Sequence, residues 1–230
     1  MSVIKYIGIY DIVREGKLKR DCSLAAKKKM DYIIDALNRC GNSVQIVSIA
    51  RDRESSQRCS VEECKNGRKK NQLILAPSIG SKCKIISLMG EVEVRIWLLI
   101  WLILHVHKNE SIFVYHSQRI MIPVYIASKI KRFRYFLEVE ELYYKFGFCS
   151  KRMARNEKKV IMSANALIVS TENIVKELGY RKKAIYLHGN YQNLRIHEAW
   201  EKNESKEKKV VFAGGIETVR NTAFNVCDCA

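Results

Sequence analysis

The apolar positions of this chain fall into short continuous runs, separated by longer stretches in which apolar residues recur at helical spacing. Val3–Tyr10 (VIKYIGIY) is rich in β-branched and aromatic residues and predicts a strand. Asp11–Asp21 is polar, with Gly16 in its middle, and reads as a loop. Ser23 then offers a hydroxyl cap to a helix whose apolar face is Leu24, Met30, Ile33, Ile34 and Leu37, and Gly41-Asn42 stops it. Val44–Ala50 returns to a strand pattern. Strand, loop, amphipathic helix, glycine turn and strand make a βαβ unit, which implies parallel pairing through a right-handed crossover.

Further along, Arg51–Asn71 is charged and polar and reads as a surface excursion, with short strands expected at Gln72–Ala76 and Lys84–Leu88. Glu91–Lys108 predicts a helix, apolar nearly all round in its middle, which implies deep burial. Strands are expected at Ile112–Tyr115, Tyr135–Val139, Ala166–Val169 and Ala184–Leu187. Between them lie a helix at Met121–Ile130, with Pro123 tolerated in its first turn, a basic helix at Lys151–Ala164, and a short helix capped by Ser170 or Thr171 that ends at Gly179. Strands alternating with helices predict an α/β fold, a Rossmann-like parallel sheet with helices on both faces.

After Asn190 the texture changes. Residues 191–209 form a linker that ends in the charged stretch Glu201–Lys209 (EKNESKEKK). Val210–Ala213 is then a new buried strand, followed by Gly214-Gly215 and a helix-like Val219–Cys229. The expected organisation is a domain over 1–190, the linker, and a lone βα unit over 210–230 that opens a second domain.

Ligands of such sheets sit beyond the carboxyl ends of the strands. That rule selects Asp11, His116, Glu138, Ser170, Thr171, His188, Gly189 and Asn190. No G-x-G-x-x-G follows the first strand, and neither G-x-x-x-x-G-K-[ST] nor G-x-S-x-G occurs, which removes three common enzyme classes.

Composition adds a charge question. The 230 residues carry 41 Lys+Arg against 24 Asp+Glu, a formal net charge of +17, with 47% hydrophobic residues. The chain is therefore a folded globular protein rather than a basic tail. Ile96–Leu104 (IWLLIWLIL) is too short for a bilayer span, which takes roughly 18 apolar residues or more. The eight cysteines, with close pairs at Cys59/Cys64 and Cys227/Cys229, lack the matched spacing of a zinc site and read as reduced, mostly buried thiols; no metal is expected. Met1–Tyr10 has no signal-peptide pattern, so a reducing cytoplasmic setting is the expectation. The basic stretches are distributed and no nucleic-acid-binding signature accompanies them, so no nucleic-acid partner is expected.

Taken in order, five segments resemble the GT-B-fold glycosyltransferases, specifically the family-4-like enzymes that use sugar nucleotides. IFVYHS (Ile112–Ser117) looks like the strand that ends in a cleft histidine, and YFLEVEELYY (Tyr135–Tyr144) like the next strand with its trailing acids. SANALIVSTENIVKEL (Ser163–Leu178) and IYLHGNY (Ile185–Tyr191) are similar to the following helix–strand–helix and the strand that closes the domain. KVVFAGGIETVRNTAF (Lys209–Phe224) resembles the opening of the second Rossmann-like domain.

The resemblance implies transfer of a sugar from a nucleotide-sugar donor to a glycan or lipid-linked acceptor, in polysaccharide or cell-envelope biosynthesis. The acceptor would sit on the first domain and the donor on the second, with no cofactor beyond the donor itself. His116 would be the catalytic cleft histidine, or else an imidazole satisfied by backbone at a strand end. Asp11, Glu138, Ser170, Thr171, His188 and Asn190 would line the acceptor side. Gly214, Gly215 and Arg220 would hold the donor diphosphate. Two departures stand out: Asp11–Asp21 replaces the glycine-rich acceptor loop, and Gly-Gly stands where the family has Gly-Arg. The family's paired glutamates would fall past Ala230, so the chain is expected to be inactive alone, or to serve as an acceptor-binding half that meets a complementary C-terminal half. The family's lipid-linked acceptors redirect the positive charge to an anionic membrane surface. Lys17, Lys19, Arg20, Lys27, Lys28 and Lys29 are the residues expected to face it, at the inner face of the membrane.

Overall fold

A computed structural model of the chain describes residues 3–13, 18–52, 54–66, 69–81, 83–145 and 149–187. The expected C-terminal βα unit, its linker, Lys17, His188 and Asn190 lie outside the described residues. Eight strands form one sheet: β1 (Val3–Gly8), β2 (Ser43–Ser48), β3 (Ser60–Asn66), β4 (Lys69–Leu75), β5 (Ser111–Tyr115), β6 (Arg134–Val139), β7 (Ala166–Val169) and β8 (Lys183–Tyr186). Their order is β3-β4-β2-β1-β5-β6-β7-β8, and every pairing is parallel except β3 with β4. The fold is thus the α/β, Rossmann-like sheet that the alternation of strands and helices predicts.

Among the described residues, five α-helices complete it: α1 (Leu24–Arg39), α2 (Lys84–His105), α3 (Gln118–Lys131), α4 (Lys151–Ser163) and α5 (Glu172–Leu178). The chain moves outward from β1 through α1, then crosses back through α2 to β5 on the other side of β1. Because parallel crossovers are right-handed as a rule, reversing direction moves the helices to the opposite face. The two cores reflect this. Met30, Ile33 and Ile34 of α1 pack with Tyr6, Ile46 and Leu73 on one face, and α2–α5 bury the other against Ile7, Val47, Val114 and Leu137. Neighbouring residues of one strand serve different cores, as Tyr6 and Ile7 do, because the pleat has a period of two.

The helix boundaries follow local chemistry. The Ser23 hydroxyl accepts from the Ala26 amide at the start of α1, and Ser150 does the same from Met153 at α4. Gly179 ends α5 with φ of 59°, a conformation that glycine adopts without strain.

Several expectations are corrected. The excursion over Arg51–Asn71 contains an edge strand, β3, which hairpins onto β4 from Ser60 to Asn66; its charged residues fit an edge that must stay unpaired on one side. Lys84–Leu88 is the first turns of α2, not a strand, because its apolar residues continue the helical spacing of the run that follows. The deep burial expected for that helix holds for one side only: Val94, Leu98, Trp101 and Leu102 are buried, while Ile96, Ile100 and Leu104 are exposed. α3 begins at Gln118, so Pro123 sits in its interior rather than its first turn, and it is buried. Of the six cysteines in the described residues, all free thiols, only Cys64 is buried; Cys40, Cys59 and Cys83 are exposed.

Candidate functional site

β1 is the point at which the chain reverses its direction across the sheet: β2 lies on one side of it and β5 on the other. Open sheets of this kind leave a crevice at such a switch point, because the connections from the two central strands part to opposite faces. A cleft of about 670 Å³ lies there. Ile9 follows β1 into it, and Tyr115 ends β5 there with Ser117 just after it. Ser23 and Ala26 bring the N-terminus of α1 to its wall, and Gln118 and Arg119 bring that of α3. Two helix starts, the positive ends of their dipoles, therefore border the cleft, with the Ala26 and Arg119 amides held by the cap hydroxyls of Ser23 and Ser117.

The charged groups of the cleft form a network. Arg119 donates to both carboxylate oxygens of Asp21, at 3.2 and 3.0 Å, and its other terminal nitrogen lies 2.9 Å from Glu91 Oε1. That same oxygen accepts from Arg51 at 2.7 Å, and the buried Arg51 also donates to the Ile79 carbonyl at 2.9 Å. Arg119 is held by three elements at once: α3 carries it, the loop before α1 supplies Asp21, and α2 supplies Glu91. Exposed Arg95 lines the cleft one helical turn beyond Glu91.

Behind the cleft, on the α1 face, lies a buried ionic cluster. The Lys29 ammonium is 3.3 Å from Glu138 and 3.0 Å from Glu140. Tyr6 donates to Glu138, and Tyr115, itself on the cleft wall, donates to Glu140 at 3.1 Å. Burial raises the Glu138 carboxyl above its ordinary value, against the pull of Lys29 and of the Tyr6 hydroxyl. Burial also raises the Tyr115 and Tyr6 phenols, so both serve as hydrogen-bond donors at neutral pH.

The expected site residues are placed as follows. His116 is 2% exposed, stacked on Tyr143 with ring centroids 4.6 Å apart, and its Nε2 is 3.3 Å from Glu157 Oε1. Glu157, on α4, is also buried and accepts from the amides of Tyr143 and Tyr144 at 2.8 and 2.9 Å. His116 and Glu138 are brought together through the backbone, with the His116 amide on the Glu138 carbonyl at 3.0 Å. Asp11 is fully buried and accepts from the amides of Lys19 and Arg20, so it anchors the loop that follows β1. Ser170 donates to the Glu140 carbonyl at 2.8 Å, and Thr171 is exposed at the start of α5. None of these residues contributes to the cleft wall; the residues flanking His116, Tyr115 and Ser117, do. Gly214, Gly215 and Arg220 lie outside the described residues.

The basic residues expected to face a membrane divide. Arg20 is buried and donates to the carbonyls of Ala50 and Ala76 at 2.8 and 2.7 Å, and Lys29 is buried in the ionic cluster, so these two are corrected to structural cations. Lys27 is paired with Asp31 at 2.6 Å, and Lys19 and Lys28 are exposed.

Sequence reasoning missed Arg119, Asp21, Glu91 and Arg95. Arg119 was within reach of the strand-end rule, lying in the first turn of the helix after β5. Asp21, Glu91 and Arg95 reach the cleft only through the packing of α1 and α2 about β1.

Neither the protein-family models nor the curated protein sequences include a match to this chain. Among solved structures, it is similar to the catalytic domain of starch synthase IV from Arabidopsis thaliana, bound to ADP and acarbose, at 12% identity over 80% of this chain, with a TM-score of 0.48. It is also similar to a UDP-forming α,α-trehalose-phosphate synthase from Burkholderia xenovorans, in complex with glucose-6-phosphate, at 12% identity over 77% of this chain and a TM-score of 0.48. The chain spans 51% and 43% of the length of these two structures.

Proposed function

We propose that this chain supplies the acceptor-side domain of a nucleotide-sugar-dependent glycosyltransferase of the GT-B type, with residues 210–230 opening the donor-side domain. The observation that carries the reading is the cleft at the switch point between β1 and β5, walled by two helix starts and by the Arg119 network. The ordered resemblance of five segments to family-4-like enzymes supports it from the sequence.

Sugar transfer needs an acceptor hydroxyl held still and positive charge at the departing diphosphate. In this reading the cleft does the first. Arg119 and Arg95 supply donors to acceptor oxygens, Tyr115 and Ser117 supply hydroxyls, and Leu88 and Val92 of α2 form an apolar wall suited to the lipid part of a lipid-linked acceptor. His116 reaches the acceptor when Tyr143 swings aside, and its imidazole, with Glu157 beside it, then hydrogen-bonds a sugar hydroxyl. Gly214, Gly215 and Arg220 hold the donor diphosphate. The acceptor is a glycan or a lipid-linked glycan of polysaccharide or cell-envelope biosynthesis, handled at the cytoplasmic face of a membrane.

The test is release of nucleoside diphosphate from a panel of UDP-, ADP- and GDP-sugars, with glycan and polyprenyl-phosphate-linked acceptors, alongside a thermal-shift measurement of acceptor binding. Turnover that falls in Arg119→Ala supports the enzyme. Acceptor binding lost in Arg119→Ala, without turnover, supports an acceptor-binding half that works with a separate C-terminal half. Absence of both turnover and acceptor binding refutes the proposal.

A further inference from the structure

The outward side of α2 is apolar along its whole length. Ile85, Met89, Val92, Ile96, Ile100 and Leu104 recur at three- and four-residue spacing, and each is between 50% and 71% exposed. On the neighbouring helix α3, which packs against α2, Ile122, Ile126 and Ile130 are exposed as well. Water-exposed apolar surface of this extent is a mark of an interaction site. Glu93 borders the stripe and is half-buried.

The next helix in the layer, α4, has the opposite character. Lys151, Arg152, Arg155, Lys158 and Lys159 are all exposed. Lys159 reaches across to α3, where it and Lys129 stand over the Tyr125 ring at 5.1 and 5.4 Å from its centroid. One face of the protein therefore carries an apolar stripe beside a dense cationic rim. An apolar surface flanked by Lys and Arg is the pattern of a helix layer that lies in a membrane interface, apolar groups among acyl chains and cations among anionic headgroups. No helix of the described residues is long and apolar enough to cross a membrane.

We propose that the α2–α3 stripe, with α4 as its cationic rim, docks this protein onto an anionic lipid bilayer. Val92 belongs both to the stripe and to the cleft wall, and Leu88, 65% exposed, joins it there, so the cleft opens at the edge of the docked surface. A lipid-linked acceptor reaches the cleft without leaving the bilayer, a corollary that rests on the function proposed above; the docking does not. The α1 cations Lys19 and Lys28 are not needed for it.

The test is sedimentation of the chain with phosphatidylglycerol-containing vesicles and with pure phosphatidylcholine vesicles, together with quenching of Trp97, which flanks the stripe, by brominated lipid, with Trp97→Phe as the control. Binding is expected to the anionic vesicles only, to weaken with salt, and to fall roughly tenfold or more in Ile96→Glu/Ile100→Glu and in a variant with Lys151, Arg152, Arg155 and Lys158 changed to Glu. Both sets of positions are exposed, and unchanged circular dichroism and Tm establish that the variants fold. Equal binding to neutral vesicles, or undiminished binding by Ile96→Glu/Ile100→Glu, overturns the proposal. Hydroxyl-radical footprinting of Met89 without lipid, paired with analytical ultracentrifugation, reports other occupants. Protection in a dimer assigns the stripe to a second copy, protection in a monomer assigns it to residues of the same chain, and either overturns lipid docking. Failure to bind lipid with intact nucleotide-sugar turnover separates this proposal from the glycosyltransferase reading, as does the reverse.

Discussion

The imidazole of His116 lies flat against the phenol ring of Tyr143, 4.6 Å between centroids, and the Tyr143 hydroxyl donates back to the His116 carbonyl at 3.0 Å. Tyr143 belongs to a single 3₁₀ turn whose amides are fastened to Glu157, so the lid over the histidine is tied to α4. Modification by diethylpyrocarbonate should therefore reach His116 only when that turn opens, on the order of 10-fold or more slowly than exposed His105 and His107. Tyr143→Ala should erase the difference, as read by mass mapping of the modified peptides. Fast modification of His116 in the unaltered protein contradicts the buried placement.

Lys29 and Glu138 should couple stability to pH. Burial raises the Glu138 carboxyl above its ordinary value of 4.5, so the folded state holds that proton more tightly than the unfolded chain. The contribution of Glu138 to stability is thus fully present at low pH and is lost as pH rises through its raised value. Lys29→Met leaves a buried carboxylate with one cation fewer and should cost about 3–5 kcal/mol near neutral pH. The cost should shrink in acid, at a pH low enough for Glu138 to take up a proton, and the double variant Lys29→Met/Glu138→Gln should recover most of it. Urea denaturation at both pH values checks the sign.

Gly90 on α2 lies under the Arg51 guanidinium: a Cβ there would stand 2.4 Å from Nη2 and 2.9 Å from the Ile79 carbonyl oxygen. Alanine in a helix interior ordinarily gains about 1 kcal/mol over glycine. Gly90→Ala should instead lose about 1–3 kcal/mol, because Arg51 must leave Glu91 and Ile79 to make room. Chemical denaturation measures the loss, and a stabilised variant contradicts it.

Cys83 should be the most reactive of the described thiols. It stands exposed at the start of α2, where the amides of Ile85 and Ile86 lower its thiol below the ordinary value. Burial raises Cys22 and Cys64 to about 11, so at about pH 8 only about 10⁻³ of either is thiolate. Timed iodoacetamide labelling with peptide mapping should find Cys83 first and Cys22 and Cys64 last.

The order of elements was legible in the sequence because it rests on local patterns. Ala166–Val169 is a strand on an uninterrupted apolar run, Ser23 starts α1 through its own hydroxyl, and Gly179 stops α5 through its own backbone freedom. Crossover handedness then selects the two faces of the sheet. Where local signals conflict, the reading fails. Lys84–Leu88 has the composition of a strand, yet it extends α2, because helix propagation from the long run behind it outweighs a short strand with no neighbour to pair. Ser60–Asn66 has polar residues and becomes a strand because β4 offers it an edge.

The site was legible only in outline. Strand ends could be located along the chain, which singled out His116 and Glu138, but both side chains are buried and the cleft is walled by their neighbours. Which way a strand-end residue points, and what covers it, depends on contacts with Glu157 and Lys29, distant in sequence. Arg119, Asp21 and Glu91 meet only because the chain reverses direction at β1 and carries α2 back beside α3. The same holds for the apolar run that centres on Ile96–Leu104. By itself the sequence determined that this segment is helical and must hide apolar surface. Only the tertiary structure decided that one side is buried on the sheet and the other left open, because a helix wrapped in apolar residues has two faces and the sheet covers one.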